Sequence, residues 1–320
     1  MLQQVESRFF QDPDTPICRY APDFVLLKPN LHPMKYLLGL LSLTLLCLAC
    51  TSNRTTSRPT LSVSIEPLKY LTQQITDNDF DINVLVPQGA SPETFEPTAT
   101  QMRKVAESSL YVDIGLLDFE INLAHAIQEN MPSVQIVHLK EGIPLITGED
   151  SAAPDTDHSS HHHGIDPHIW TSPKCLKIMA NTLYSALSRR YPDSTRYTSN
   201  YQILIQRLDS LDRTLVHLFE GCQTHFMIYH PALSYLARDY GLTQIALEDE
   251  GKEPSVDHIK QLIDSARRWQ IPHILYQQQF SQSTVEALSR ELGIKAVPVD
   301  PLGYDIEKNI LEISQLIANP

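Results

Sequence analysis

The first half of the chain alternates short apolar strands with amphipathic helices. Residues 61–65 alternate apolar and polar side chains, as a half-buried strand does, and residues 68–75 place apolar side chains at helical spacing. The same two patterns recur further along. They predict strands at 82–86, 110–114 and 134–139, and helices at 101–107 and 119–128. Strands that alternate with helices at these lengths predict parallel pairing through helical crossovers.

The second half repeats this alternation after two helical patterns, at 173–190 and 193–219. The predicted strands are 226–229, 243–247, 273–276 and 295–299, and the predicted helices are 232–240, 255–268, 283–291 and 306–317. Ser255 is a good N-cap for its helix, and the preceding Pro254 favours a sharp start.

The longest helical pattern, 193–219, contains no glycine or proline. Its apolar side chains are spaced by 4, 3, 4, 3, 4 and 3 residues, which places them on one face: Tyr197, Tyr201, Leu204, Leu208, Leu211, Leu215 and Leu218. At 1.5 Å per residue the helix would span roughly 40 Å, more than one small domain requires. A coiled-coil partner helix is the alternative to a strut between two domains.

We therefore predict an α/β protein with two parallel-sheet lobes joined by one long backbone helix, and a metal site in the interlobe cleft. The N-terminal lobe is expected to cover residues 61–192, the linking helix 193–220, and the C-terminal lobe 221–320.

The front of the chain has the pattern of an export signal. The apolar run 36–49 is too short for a membrane-spanning helix, which needs about 20 residues, and Lys35 precedes it as in a secretory signal. The ending Leu48-Ala49-Cys50 resembles a bacterial lipobox, although Cys47 stands where leucine is usual.

This pattern predicts a lipoprotein anchored in the periplasm or at the cell surface. We expect a signal peptide at 34–49, lipidation of Cys50 and a tether at 50–60. Residues 1–33 carry no signal-like pattern, so Met34 is the expected start, and a disordered extension is the alternative.

Composition narrows the possible partners. The chain has 320 residues, of which 42% are hydrophobic, enough for two packed domains. Its formal net charge of −13 argues against a nucleic-acid partner, which would need a basic face. Cys175 and Cys222 would be able to pair in an oxidising compartment, but the helices between them differ in length, and we expect two buried free thiols.

Five of the thirteen histidines lie between residues 157 and 170. Four belong to a polar loop at 150–164, predicted to gather metal loosely: His158, His161, His162 and His163. His168 lies between Asp166-Pro167 and an apolar Ile-Trp pair, so it is expected to belong to a fixed site. A solvated polar loop is the alternative interpretation of the tract.

Ligands of open parallel sheets bind outside the carboxyl ends of the strands. His230 and Asp300 each follow a predicted strand directly and precede a proline, and Glu93 and Glu96 lie in the loop after a strand of the first lobe. Together with His168, these residues would supply a tetrahedral nitrogen and oxygen set for Zn²⁺. Taken singly, each of them is equally compatible with an ordinary surface or turn residue.

Five segments occur in the order found in one known family: Val-Pro-Gln-Gly-Ala-Ser-Pro at 86–92, Asp-Pro-His-Ile-Trp at 166–170, the run from Tyr-His-Pro to Tyr-Gly at 229–241, Glu-Pro-Ser at 253–255, and Asp-Pro-Leu at 300–302. The sequence resembles the zinc/manganese solute-binding proteins of bacterial ABC transporters from about residue 61 to its end. The resemblance implies two lobes bridged by a helix, metal held between them, and an ABC permease as partner.

The resemblance also implies a ligand set. His168, His230 and Asp300 match the second, third and fourth ligand positions of the family. At the first position the family usually has Ser-Pro-His, whereas this chain reads Ser-Pro-Glu, so that either Glu93 or a water molecule completes the shell. His230 and the histidine tract indicate zinc, because manganese members carry a carboxylate at the third position.

The favoured hypothesis is therefore a monomeric, lipid-anchored receptor that captures Zn²⁺ and passes it to a permease without any enzymatic step. A manganese receptor of the same fold is the alternative within this class. A zinc hydrolase, with Glu93 or Glu96 as general base, and an adhesin-like surface lipoprotein are alternatives from other classes, although the chain lacks a His-Glu-x-x-His pair.

Overall fold

The computed structural model describes residues 58–147, 164–248, 254–280 and 282–318. The predicted leader at 1–33, the signal peptide at 34–49, Cys50 and the histidines between 158 and 163 lie outside these ranges. Within the described residues, no helix is both long enough and apolar enough to cross a membrane.

The first half builds a four-stranded parallel sheet in the order β2-β1-β3-β4. Its elements, in chain order, are β1 (Thr60–Val63), α1 (Glu66–Thr76), β2 (Asp81–Val84), α2 (Ala99–Ala106), β3 (Leu110–Asp113), α3 (Asp118–Asn130) and β4 (Gln135–His138). Two helices follow, α4 (Pro173–Arg190) and α5 (Thr195–Phe219).

The second half builds another four-stranded parallel sheet, in the order β6-β5-β7-β8. Its elements are β5 (His225–Ile228), α6 (Ser234–Tyr240), β6 (Thr243–Ala246), α7 (Val256–Arg268), β7 (His273–Gln277), α8 (Gln282–Leu292), β8 (Lys295–Val299) and α9 (Ile306–Ala318). The predicted α/β class with two parallel sheets is confirmed.

Local sequence signals explain where several helices begin. Thr98 and Gln101 form a reciprocal capping box at the start of α2, in which each side chain accepts the backbone N–H of the other residue. Ser172 accepts the Lys174 N–H at the start of α4. Ser255 accepts the His258 N–H at 3.2 Å and is the N-cap of α7, as predicted.

The long helix α5 contacts both halves of the molecule. Its leucine face is buried, with Leu204, Leu208 and Leu215 fully inaccessible to solvent. On another side, the Arg207 guanidinium donates to Gln74 of α1 at 2.7 Å and pairs with Glu307 of α9 at 2.9 Å. One side chain of α5 thus joins a helix of the first half to a helix of the second. The predicted lobe boundaries around this helix stay a prediction.

One hydrophobic core extends through both halves. It contains Leu61 and Val112 of the first sheet together with Phe226 and Leu275 of the second, while a smaller cluster that includes Leu262 and Val285 lies elsewhere in the second half. Trp170 is 1% exposed, and its Nε1–H donates to the Pro301 carbonyl at 2.9 Å. This hydrogen bond ties the two halves together close to the predicted metal site.

The two cysteines in the described part of the chain are both free. Cys175 is buried as expected, but Cys222 is only partly buried, and its thiol donates to the Leu218 carbonyl at 2.9 Å. The prediction of two free thiols is confirmed, and that of full burial is wrong for Cys222, because this residue lies just beyond the end of α5 where less of the protein covers it.

Candidate metal centre

Three predicted ligands come together at the carboxyl ends of strands. Glu93 lies in the loop after β2, His168 directly precedes a short 3-10 turn (Ile169–Thr171), and His230 lies two residues after β5. Each contributes one ligand atom to a group whose members all lie within 4.8 Å of one another. Among the described residues, this is the one group of three or more His, Cys, Asp or Glu side chains that meets this distance.

The separations of these atoms suit a tetrahedral zinc ion. The two Nε2 atoms of His168 and His230 are 3.2 Å apart, and Glu93 Oε1 lies 2.8 Å from His230 Nε2 and 3.5 Å from His168 Nε2. Zinc bonds of 2.0–2.2 Å at tetrahedral angles would separate two ligand atoms by about 3.3–3.6 Å. The separations from His168 Nε2 are close to this range, and the Glu93–His230 separation is shorter, at hydrogen-bond distance. The triangle is therefore close to one face of a zinc coordination tetrahedron.

Both imidazoles are buried and oriented through their second ring nitrogen. His168 Nδ1 lies 2.8 Å from Asp166 Oδ1, and His230 Nδ1 lies 2.5 Å from Glu248 Oε1. The histidines are 5% and 7% exposed, so these carboxylates are their principal polar partners on that side. Because Nδ1 is occupied in both rings, Nε2 is the atom that each ring presents to the shared point.

Sequence reasoning missed the part played by Glu248. This residue lies 18 positions after His230 and ends up beside it because β6 pairs with β5. Asp166 belonged to a recognised segment, yet nothing in that segment indicated its contact with His168. The strand-end rule would have found Glu248, since it comes two residues after β6.

The charges around the centre hold a proton where a metal ion would lie. Burial opposes the charge on His230, but hydrogen bonds to Glu248 and Glu93 outweigh it and raise the pKa of His230 to about 9. For Glu93, burial favours the neutral form, yet the hydrogen bond from His230 and the two nearby imidazoles lower its pKa. At neutral pH, His230 therefore donates from Nδ1 to Glu248 and from Nε2 to Glu93.

Glu93 is fixed less firmly than the histidines. About a third of its side chain is exposed, at 35%. Its loop is held two residues further on by Phe95, whose ring packs edge-on against Phe119 of α3 at 5.0 Å. Glu96, named with Glu93 as a candidate from the sequence, is exposed and does not belong to the group.

Asp300, predicted as the fourth ligand, is not a member of the group. Its Oδ1 accepts the Leu302 backbone N–H at 3.2 Å, so the carboxylate closes its own turn after β8, and burial raises its pKa. It lines a cavity beside the centre, and Gln279 and Leu302 line both this cavity and the one at Glu93, His168 and His230. Asp300 therefore lies at the predicted strand end, and its role as fourth ligand stays a prediction.

Comparison with known proteins agrees with this fold. A crystal structure of ZnuA matches with a TM-score of 0.74 and 32% identity, covering 82% of this chain and 98% of that one. The periplasmic zinc binding protein TroA from Treponema pallidum matches with a TM-score of 0.69 at 19% identity, covering 82% of this chain and 98% of that one, which shows the fold alone.

The AdcA relatives by sequence are longer than this chain. Zinc-binding lipoprotein AdcA of Streptococcus pneumoniae (strain ATCC BAA-255 / R6) is 28% identical over 279 residues, which are 84% of this chain and 55% of AdcA. The chain thus spans about half the length of this relative.

The family model described as "ZnuA: Zinc-uptake complex component A periplasmic" matches residues 62–313. That match includes both sheets, the long helix and all three grouped ligands. Because this match covers most of the chain, the protein belongs to the ZnuA family of periplasmic zinc-uptake components.

Proposed function

We propose that this protein binds one Zn²⁺ ion between its two halves and delivers it to the permease of an ABC transporter. The observation that carries the proposal is the convergence of Glu93 Oε1, His168 Nε2 and His230 Nε2 at separations suited to one zinc ion. Two neutral imidazoles and a carboxylate are a typical zinc set, and imidazole favours zinc over manganese.

Asp300 is the proposed fourth ligand. It comes from the strand end next to the grouped residues, and its cavity shares lining residues with theirs. A second carboxylate would neutralise the charge of a divalent cation together with Glu93. A water molecule at this position is the alternative, and a zinc-loaded crystal structure distinguishes the two.

A transport role suits this centre better than catalysis. Its ligands come from both halves of the chain, with Glu93 and His168 in the first and His230 in the second, so separation of the halves would release the ion. A zinc hydrolase instead holds its metal on one rigid element and keeps a base beside an open position. In this protein Glu93, the carboxylate that faces the Nε2 atoms of both histidines, is itself a proposed ligand and so would not serve as a base.

The location and partners are proposed from the sequence together with the family. The lipobox-like segment ending at Cys50 supports a lipid anchor outside the cytoplasmic membrane, and the AdcA relative is described as a lipoprotein. The tract from His158 to His163 is proposed to gather zinc loosely. We propose that the receptor acts as a monomer, since both lobes of one chain supply the ligands.

The proposal is tested by titrating the purified protein with zinc in competition with a chromophoric chelator. We expect one tight site per chain, lost in His168→Ala and in His230→Ala and weakened in Glu93→Gln. The exposed His217, which lies on α5 away from the group, provides the control His217→Ala with unchanged affinity. Full affinity in both histidine variants would disprove this site, and tighter binding of Mn²⁺ than of Zn²⁺ would favour the manganese receptor.

A further inference from the structure

We infer that Glu248 is a positioning residue for metal capture: it holds the His230 imidazole with Nε2 directed at Glu93 and His168. The inference rests on the proposed function and adds a residue outside the ligand set. Glu248 Oε1 lies 2.5 Å from His230 Nδ1, and the two side chains are only 7% and 9% exposed. A contact this short between buried groups leaves the ring little freedom to turn.

The backbone of His230 is fixed independently of Glu248. The Gln277 side chain accepts the His230 N–H at 3.3 Å and donates to the His230 carbonyl at 2.7 Å. Phe280 stacks on one face of the ring, with centroids 5.3 Å apart. These contacts locate the residue and limit its tilt, but neither distinguishes one ring nitrogen from the other.

Glu248 makes that distinction. A neutral imidazole carries a single N–H, and a carboxylate at Nδ1 keeps the proton there and leaves the Nε2 lone pair free for a metal ion. The carboxylate also increases the basicity of the ring, which strengthens its bond to the metal. Without it, the ring would be free to rotate and offer a carbon atom, or a protonated nitrogen, to the shared point.

Strand pairing explains how Glu248 reaches this position. The ladder between β5 and β6 continues past both strands, with the Leu247 N–H donating to Ile228 and the Glu248 N–H donating to Tyr229 at 3.1 Å. This places Glu248 beside the residue that follows Tyr229, which is His230.

The corresponding contact at His168 is of a different kind. Asp166 Oδ1 accepts both the backbone N–H of His168, at 2.9 Å, and its Nδ1–H. Removal of Asp166 would therefore alter the local turn as well as the ring. Glu248 accepts from the ring without being part of the turn that carries His230, so substituting it separates ring orientation from local folding.

The chain offers a matched control outside the site. His138 Nδ1 lies 2.7 Å from Asp113 Oδ1, and the Asp113 side chain is fully buried. Neither residue belongs to the metal-binding group. Asp113→Asn thus perturbs a buried carboxylate–imidazole pair without changing the proposed ligands.

The experiment compares zinc affinity in the purified wild type, Glu248→Ala, Glu248→Gln and Asp113→Asn. We expect Glu248→Ala to weaken binding by about 10- to 100-fold, the usual effect of removing the hydrogen-bond partner of a ligating histidine. Glu248→Gln retains an oxygen that accepts from Nδ1 and should recover part of this loss. Asp113→Asn should bind as the wild type does.

A second measurement does not depend on zinc. In metal-free protein with ¹⁵N-labelled histidine, the buried Nδ1–H of His230 should give a downfield, slowly exchanging proton signal that survives in Glu248→Gln and disappears in Glu248→Ala. Persistence of the signal in Glu248→Ala, or wild-type zinc affinity in that variant, would overturn the inference. A wild type that binds no zinc but shows this signal would refute the proposed function and still support the orientation of the ring by Glu248.

Discussion

His230 is the histidine of the candidate metal centre whose ring contacts two carboxylates and whose pKa is raised. In the metal-free site its ring bridges two carboxylates, Glu248 and Glu93, and its pKa is raised to about 9. The proton on Nε2 occupies the side of the ring that a metal ion would need. Capture of zinc therefore has to remove a proton, and this exchange makes the affinity depend on pH.

The first prediction concerns that exchange. Below pH 9 metal-free His230 is protonated, so zinc binding should release close to one proton from this residue, and the apparent affinity should rise by up to about tenfold for each pH unit between pH 6 and 8. Calorimetry in buffers of different ionisation enthalpy measures the number of protons released, and chelator competition measures the slope. An affinity that stays constant over this range would show that His230 is already neutral before zinc binds.

Residue-level prediction from sequence succeeded where chain order alone determines position. His230 follows β5 and Glu93 follows β2, and parallel strands bring such residues to one edge. Sequence analysis did not predict the directions in which side chains point. Asp300 lies at the expected strand end, but the sequence did not decide between metal binding and the turn contact that its carboxylate makes with the Leu302 N–H.

At the scale of elements, α5 shows how closely a periodic pattern can determine a helix. Five of its seven predicted apolar positions are buried, while Tyr201 and Leu218 are only partly so. The helix begins at Thr195 rather than at 193, and Ser194 stands at the N-cap position without a side-chain capping hydrogen bond. The strands were also predicted to within about two residues of their ends, because their apolar runs are short and end at turn residues.

The packing of α5 leads to the second prediction. Leu208 is completely buried in the core shared by both halves, so Leu208→Ala should lower the free energy of unfolding by about 2–5 kcal/mol through lost burial and the cavity left behind. Ile203 of the same helix is 52% exposed, and Ile203→Ala should change stability by less than about 0.5 kcal/mol. Urea unfolding followed by circular dichroism compares the two. Equal losses would mean that α5 is not held by its leucine face.

At the scale of the whole molecule, the two halves are joined by several independent contacts. The hydrophobic core is continuous between the sheets, Trp170 donates to Pro301 beside the metal centre, and Arg207 links Gln74 to Glu307. None of these contacts is a flexible tether. The proposed metal ligands are likewise divided between the halves, so bound zinc and the protein contacts should stabilise the same folded unit.

The third prediction follows from this division. Zinc that binds both halves should raise the midpoint of one thermal transition of the whole protein, since binding at a free zinc concentration of 100 times Kd adds about 2.7 kcal/mol to the stability of the folded state. For a chain of this size that corresponds to an increase of about 4–5 °C. The chain contains two tryptophans, so the variant Trp269→Phe keeps Trp170, next to His168, as the single tryptophan whose fluorescence reports on the site. Circular dichroism of the same variant reports the unfolding of helices in both halves. Both signals should move together with zinc in Trp269→Phe, and neither should move once His230→Ala is added. If zinc shifts the Trp170 signal and leaves the circular dichroism transition where it was, the ion binds to one half only and does not join the two.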